Sequence, residues 1–302
     1  MKEANLRRTI EIDYYCFPTK TGDISVFIDL DQYTDWREQE FYEITQEDVL
    51  LAKKKGKLLL FDLRNNTFVD ENGNVVDISD KVIFPRSTIG EADILLEHIE
   101  KANGKSITAR TDYDLIVEHW FEIIKTKREF KVTTIGEVQQ NLEKYEETYG
   151  KSFFIKTIKK GFSEVCIIMD LNFDDSKTAS KHLLDSHFHS VNMSIANGDT
   201  PVLVYKVLKI IKDDFGKREW RAFVVNNELL CLSRASDDVV PIEDYIYEKV
   251  RSKIREYDGV MPSSYVVDFF EYIDDNGETI FDVCEFNPIV ASGVYQNNDL
   301  VF

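Results

Sequence analysis

Tyr265-Val-Val-Asp268-Phe-Phe-Glu-Tyr272, then Ile-Asp-Asp-Asn276-Gly277-Glu278, then Thr279-Ile-Phe-Asp-Val-Cys-Glu285-Phe-Asn287-Pro288, is the stretch that decides how this chain reads. Two apolar runs rich in Val, Ile, Phe and Tyr flank an Asn-Gly pair. That combination predicts a β-hairpin, because the tightest hairpin turns need positive φ at their centre. Asp268 falls within the first strand, and Glu285 and Asn287 at the end of the second. Period two puts Glu285 and Asn287 on one face, and hairpin pairing can bring Asp268 across from them. Three oxygen-bearing side chains on one face suit a hard cation, above all Mg2+ held also by phosphate oxygens. Taken alone, the pattern equally fits a surface hairpin with solvated polar positions.

The totals limit what the hairpin can serve. A chain of 302 residues has room for one large domain or a few small ones. Apolar residues make up 43%, enough for a sizeable core. With 37 Lys and Arg against 55 Asp and Glu, the net charge is −18. Nucleic acid and anionic membrane are therefore poor main partners, since both need a basic footprint. A local basic pocket for a phosphate ligand remains compatible. Cys16, Cys166, Cys231 and Cys284 are scattered, with no CxxC pair, and read as buried reduced thiols of a cytosolic protein. The opening residues Met1 to Arg8 are polar, and no apolar run is long enough to span a bilayer. The expectation is a soluble, cytoplasmic protein.

Working back from the hairpin, residues 242–257 predict an amphipathic helix with Ile246, Val250 and Ile254 on one side, closed by Gly259. Before it, residues 219–225 and 228–234 predict a hairpin turning at Asn226-Asn227. Arg221 shares a face there with Glu219 and Phe223. It is either a salt-bridge partner of Glu219 or a contact to phosphate or substrate. Pro201 to Leu208 reads as a buried strand. Residues 151–169 read as two strands around a short basic turn, Lys159-Lys160-Gly161. Lys156 lies in an apolar strand, an uncomfortable place for an ammonium without an anionic partner. The turn after it can offer backbone N–H groups and lysines to phosphates. The same residues also fit a basic hairpin with Lys156 on the open face of a sheet. A helix over 174–189 carries His182, His187 and His189, whose mixed spacings do not build one ligand face for zinc.

The first third reads as mixed α/β. Strands are predicted over 23–30, 57–63 and 81–86, a small hairpin over 67–77 turning at Asn72-Gly73, and a helix over 89–102 with Gly104 beyond its end. No catalytic signature appears, and Arg86 reads as a surface arginine in preference to a substrate contact. A boundary is placed near residue 110, after the polar Asn103-Gly-Lys-Ser106 patch. Beyond it come a helix from Thr111, a strand over 127–135 and a charged helix over 136–149.

In that order, the strand lysine with its basic turn, the buried strand and its link, the Glu-x-Arg hairpin, the helix, and the hairpin with Asp followed by Glu-x-Asn-Pro resemble the ATP-grasp superfamily, over roughly residues 111–302. Val267-Asp268-Phe269 with Cys284-Glu285-Phe286-Asn287-Pro288 carries the resemblance most specifically. The run Pro288 to Tyr295 also resembles R2K-type ATP-grasp proteins, and the second half resembles the cell-cycle protein D123 group. The resemblance implies an α+β fold in which two lobes, 111–205 and 206–302, grip ATP, preceded by an α/β domain over 1–110. It implies that Lys156 binds the α/β-phosphates, with Lys160 in the phosphate loop. Tyr205, Lys206, Val207 and Leu208 would hold adenine through backbone groups, and Arg221 would meet the γ-phosphate or an acyl-phosphate. Asp268, Glu285 and Asn287 would hold two Mg2+ ions, with Glu285 bridging.

The implied reaction is ATP-dependent ligation of a carboxylate to an amine, of peptide type, through an acyl-phosphate. Phosphoryl transfer of this kind runs on positioning and charge neutralisation. That agrees with the lack of a nucleophile–base signature. The D123 resemblance implies instead an ATP-binding assembly chaperone without turnover. Three departures from the family stand out. Lys125, Lys127 and Lys131 are all candidates for an earlier phosphate-binding lysine, the phosphate loop is poor in glycine, and Lys206 stands where an acid is common.

Overall fold

The computed structural model describes residues 11–29, 36–87, 89–108, 128–150, 152–157, 166–170, 199, 201–236, 240–258 and 261–292. The expected helices from Thr111 and over 174–189, the three histidines, the basic turn at Lys160 and the boundary near residue 110 lie outside these residues. The chain forms two compact units. The first holds residues 1–113, 220–268 and 287–302, and the second holds 114–219 and 269–286.

In the first unit a five-stranded sheet runs in the order β3-β2-β1-β4-β5, built from β1 (Tyr14–Thr19), β2 (Leu58–Asp62), β3 (Thr67–Val69), β4 (Val82–Pro85) and β5 (Lys105–Ser106). The pairs β1–β2, β1–β4 and β4–β5 are parallel, and β3 is antiparallel to β2. Parallel neighbours need long crossovers, supplied here by α1 (Trp36–Lys54) and α2 (Ile89–Lys101). Alternation along the strands separates two cores. Cys16, Leu59, Phe61 and Ile83 pack with Leu95, Leu96 and Ile99 of α2. Tyr15, Phe17, Leu60 and Phe84 pack with Val49 and Ala52 of α1, and with Phe223, Val266 and Ile289 from the C-terminal third.

Two expectations change here. The strand expected over 23–30 is absent from its described residues, 23–29: Ile24–Phe27 is a short 3-10 turn. Asp23 caps it, accepting from the Ser25 N–H at 2.8 Å, and Asx capping outcompetes the β propensity of Ile, Val and Phe. The first strand is instead Tyr14–Thr19, nearly all buried. A strand covered on both faces shows no alternation to find.

The second unit contains a four-stranded antiparallel sheet in the order β6-β9-β7-β8, from β6 (Phe130–Thr134), β7 (Ser152–Thr157), β8 (Cys166–Asp170) and β9 (Pro201–Lys206). The helix expected over 136–149 is broken at Asn141 into α3 (Ile135–Gln140) and α4 (Leu142–Tyr149). Three very short strands follow: β10 (Lys209–Ile210), β11 (Lys212–Asp213) and β12 (Gly216–Lys217). Then come β13 (Glu219–Val225), β14 (Glu228–Arg234), α5 (Asp244–Tyr257), β15 (Tyr265–Ile273) and β16 (Thr279–Asn287). A sheet runs β10-β15-β13-β14, and β16 also pairs with β15. The hairpins expected over 219–234 and over the closing stretch are both present. Asn226 and Asn227 have φ of 52° and 60°, and Gly277 has φ of 82°, the conformations that Asn and Gly tolerate at such turns.

Candidate functional site

Arg221, Asp268 and Asn287 come together in the first unit. Arg221 is the third residue of β13, Asp268 the fourth of β15 and Asn287 the last of β16. Arg221 Nε donates to Asp268 Oδ1 at 2.8 Å, and its Nη2 donates to Oδ2 at 2.7 Å. This is the two-bond fork that fits a planar guanidinium to a carboxylate. Asn287 Nδ2 donates to the same Oδ2 at 3.0 Å. The Asp268 side chain is 2% exposed and that of Arg221 13%, so water screens the pair little.

The chemistry of these donors fits a hard cation. Carboxylate and amide oxygens are the ligands Mg2+ prefers. The amide of Asn287 also carries an oxygen, a ligand type that suits such a cation. Among the described residues no group of three His, Cys, Asp or Glu side chains converges. A cation here would therefore lean on an amide and on phosphate oxygens as well as acids. Glu285 lies two residues before Asn287 on β16, partly exposed, and belongs to the second unit.

The other expected residues lie in the second unit. Lys156 sits in β7, with Cys166 of β8 and Leu203 of β9 as its backbone partners; its side chain is outside the described residues, as is all of Lys160. Tyr205 is the last residue but one of β9 and stacks on Phe154 with ring centroids 4.7 Å apart. Lys206 is exposed and pairs with Asp275 at 2.7 Å. Val207 is exposed, and Leu208 packs against Phe270, Tyr272 and Ile280. Of the three lysine candidates near 125–131, Lys131 is turned to Tyr145 Oη at 2.8 Å and Glu137 Oε1 at 3.3 Å. The hydrogen bond to Tyr145 raises its pKa, and Lys131 in turn holds Glu137 below the ordinary carboxylate range. Lys125 and Lys127 lie outside the described residues.

Two buried arginines differ from the sequence reading, Arg128 having drawn no reading and Arg86 a mistaken one. Arg128 is buried between the rings of Tyr205 and Phe270, 5.3 Å from each centroid. It donates to the Val283 carbonyl and pairs with Asp282 at 3.3 Å. Arg86 is 1% exposed, which overturns its reading as a surface residue. Its Nη2 donates to Asp48 Oδ2 at 2.9 Å. Burial pushes the Asp48 carboxyl up, with Arg86 opposing the shift. Burial also depresses Arg86, Asp48 counters that, and the nearby positive charge of Arg221 adds to it. A sequence signal existed for Arg86 alone: it directly follows the strand-ending Pro85.

No family model and no curated relative matches the sequence. Solved structures do. A D-alanyl-alanine synthetase A from Vibrio cholerae O1 biovar eltor is similar with a TM-score of 0.50 at 12% identity, over 93% of this chain and 90% of that one. A D-alanine-D-alanine ligase from Helicobacter pylori gives 0.48 at 13%, over 94% and 92%. A RimK domain ATP-grasp protein from Sphaerobacter thermophilus gives 0.47 at 13%, over 92% of each chain. At such identities the fold is what is shared, and the synthetase likeness spans both units. What the synthetase likeness shows is the fold alone, the ATP-grasp fold.

Proposed function

We propose that the protein is a Mg-ATP-dependent ligase that joins a carboxylate to an amine, of peptide type, through an acyl-phosphate. The observation that carries this reading is the Arg221–Asp268–Asn287 constellation in a chain of ATP-grasp fold. In it, Asp268, Glu285 and Asn287 would hold Mg2+. Lys156 and Lys160 meet the phosphates, and the backbone of Tyr205, Lys206, Val207 and Leu208 holds adenine. Residues 111–205 and 206–302 act as the two lobes, and residues 1–110 carry substrate specificity. Cys16 and Cys231 are free and buried, which supports a reducing, cytoplasmic setting.

Bound Mg2+ supplies charge neutralisation on the phosphate oxygens. The chain's own residues position and neutralise. Where a bound Mg2+ would offset the charge of Asp268, Arg221 would be released from that carboxylate to meet the γ-phosphate or the acyl-phosphate. A substrate carboxylate oxygen attacks the γ-phosphorus, the bond to the ADP oxygen breaks, and an acyl-phosphate forms. The amine then attacks the acyl carbon, the C–O bond to phosphate breaks, and the nitrogen releases a proton to solvent. Lysine and arginine suffice for these steps because little covalent chemistry falls to the protein.

The test is release of ADP and phosphate with Mg-ATP and a panel of amino acids and short peptides. Release that requires both a carboxylate and an amine is expected. Mg-ATP binding without release, together with a stable protein partner, would overturn the ligase in favour of a D123-like assembly chaperone. No rise in melting temperature with Mg-ATP, which native-state binding must produce, would overturn nucleotide binding itself.

A further inference from the structure

We infer that Arg86 is a positioning residue for the metal end of the site, acting through the turn that follows Asn287. This rests on the proposed assignment of Asn287 as a metal ligand. Arg86 directly follows β4, and its own N–H donates to the Cys16 carbonyl of β1 at 2.8 Å, which ties its backbone to the parallel sheet. Its guanidinium reaches the far end of the chain. Nη1 donates to the Ile289 carbonyl at 3.0 Å and to the Ser292 carbonyl, and Nη2 pairs with Asp48 of α1. The next residue adds a strut, with Ser87 N–H donating to the Val290 carbonyl at 2.9 Å.

The target of these bonds is the short 3-10 turn Ile289–Ala291. Within the turn the Ile289 carbonyl accepts from Ser292 N–H at 3.5 Å, a long bond, and a buried carbonyl is better satisfied by a closer donor. Ser292 Oγ closes the turn by donating to the Pro288 carbonyl at 2.7 Å. Pro288 has φ of −70° and admits little rotation there. The restraint therefore passes from Arg86 through Ile289 and Pro288 to Asn287, whose amide lies on Asp268. Each of these residues belongs to the first unit.

Stability alone does not account for Arg86. A buried ion pair is often no more stabilising than apolar side chains of the same volume. Among the described residues its Nε is also buried without a hydrogen-bond partner, an added cost. What an apolar side chain cannot do is hold two carbonyls and one carboxylate from a single planar group. Groups hydrogen-bonded directly to a metal ligand typically change metal affinity by about 10- to 100-fold when removed, and the low end of that range is the measure for Arg86, which acts through the turn two residues beyond Asn287.

The experiment measures ADP binding to the full chain by calorimetry, in excess EDTA and in excess Mg2+, for wild type, Arg86→Ala, Arg86→Lys and Ser292→Ala. The readout is the ratio of the two affinities, which reports Mg2+ coupling and which simple loss of stability does not move in folded protein. Arg86→Ala should cut the ratio by about tenfold while leaving ADP affinity in EDTA close to wild type. Arg86→Lys should recover only part of it, since a point-charge ammonium lacks the fork. Ser292→Ala should shift the ratio in the same direction by less. If Arg86→Ala does not fold, Arg86→Lys and Ser292→Ala decide. A wild-type ratio in the folded variants overturns the inference and leaves the ligase reading standing. A wild type with no Mg2+ effect overturns the metal assignment, and this inference with it.

Discussion

Arg221 and Asp268 form a two-bond ion pair between β13 and β15, with Nε–Oδ1 at 2.8 Å and Nη2–Oδ2 at 2.7 Å, where Asp268 is almost sealed from water. Removing one member of such a pair leaves the other charge poorly compensated, at a cost of about 3–5 kcal/mol. Arg221→Ala and Asp268→Ala should each lower stability by about that much, and the double variant by clearly less than their sum. Urea unfolding of the four proteins measures the coupling. Losses that add to within about 0.5 kcal/mol would show that the two residues act independently.

Glu285 gives the sharpest test of the metal assignment because it stands partly exposed on β16. Truncating it opens no core cavity, so Glu285→Ala should unfold within about 0.5 kcal/mol of wild type. The same variant should lose the rise in melting temperature that Mg-ATP produces. A full Mg-ATP shift in Glu285→Ala would remove Glu285 from the metal site.

The reading of residues 205–208 assigns adenine to their backbone, which makes Lys206 a control. Its side chain forms an exposed pair with Asp275, worth less than about 1 kcal/mol. Lys206→Ala should keep its melting temperature and bind Mg-ADP within about threefold of wild type, a difference under about 0.7 kcal/mol. A loss of tenfold or more would mean that the side chain itself recognises nucleotide.

Arg128 is the opposite case. Its guanidinium fills the space between Tyr205 and Phe270 and reaches Asp282. Arg128→Ala should cost about 3–5 kcal/mol through the uncompensated Asp282 and the lost ring contacts. Arg128→Lys should recover less than half, because an ammonium cannot lie flat between two rings while bonding a carbonyl. Equal stability of the lysine variant and wild type would contradict that account.

How far the sequence carried differs from place to place. The closing hairpin was legible because its signal is local: an Asn-Gly turn and two β-forming runs sit within a few residues of each other. The sequence pattern also left room for Asp268 beside Asn287, but not for Arg221 lying along the same carboxylate, since a face shared with Glu219 pointed to a different partner. Arg86 was misread for a related reason. Its partners Asp48, Ile289 and Ser292 are 38, 203 and 206 residues away, and burial decided at such range leaves no trace in local composition. At residues 23–30 the failure was local competition, with one aspartate cap overriding four β-forming side chains.

Acid should reveal the turn that ends β2. Asp62 accepts from Arg64 N–H at 2.9 Å, Asn65 N–H at 3.1 Å and Asn65 Nδ2 at 2.7 Å. Burial alone would raise its carboxyl, but these bonds outweigh burial and hold it below the ordinary carboxylate range. With the folded pKa depressed, the unfolded chain takes up the proton first as pH falls. The contribution of Asp62 is therefore complete above the unfolded pKa of about 4 and drains away as pH drops through the lower folded value. Asp62→Asn should be less stable than wild type in urea at pH 6, and the gap between the two should narrow steadily below about pH 4. A gap of constant size down to the acid limit would mean that Asp62 serves this turn equally well with and without its charge.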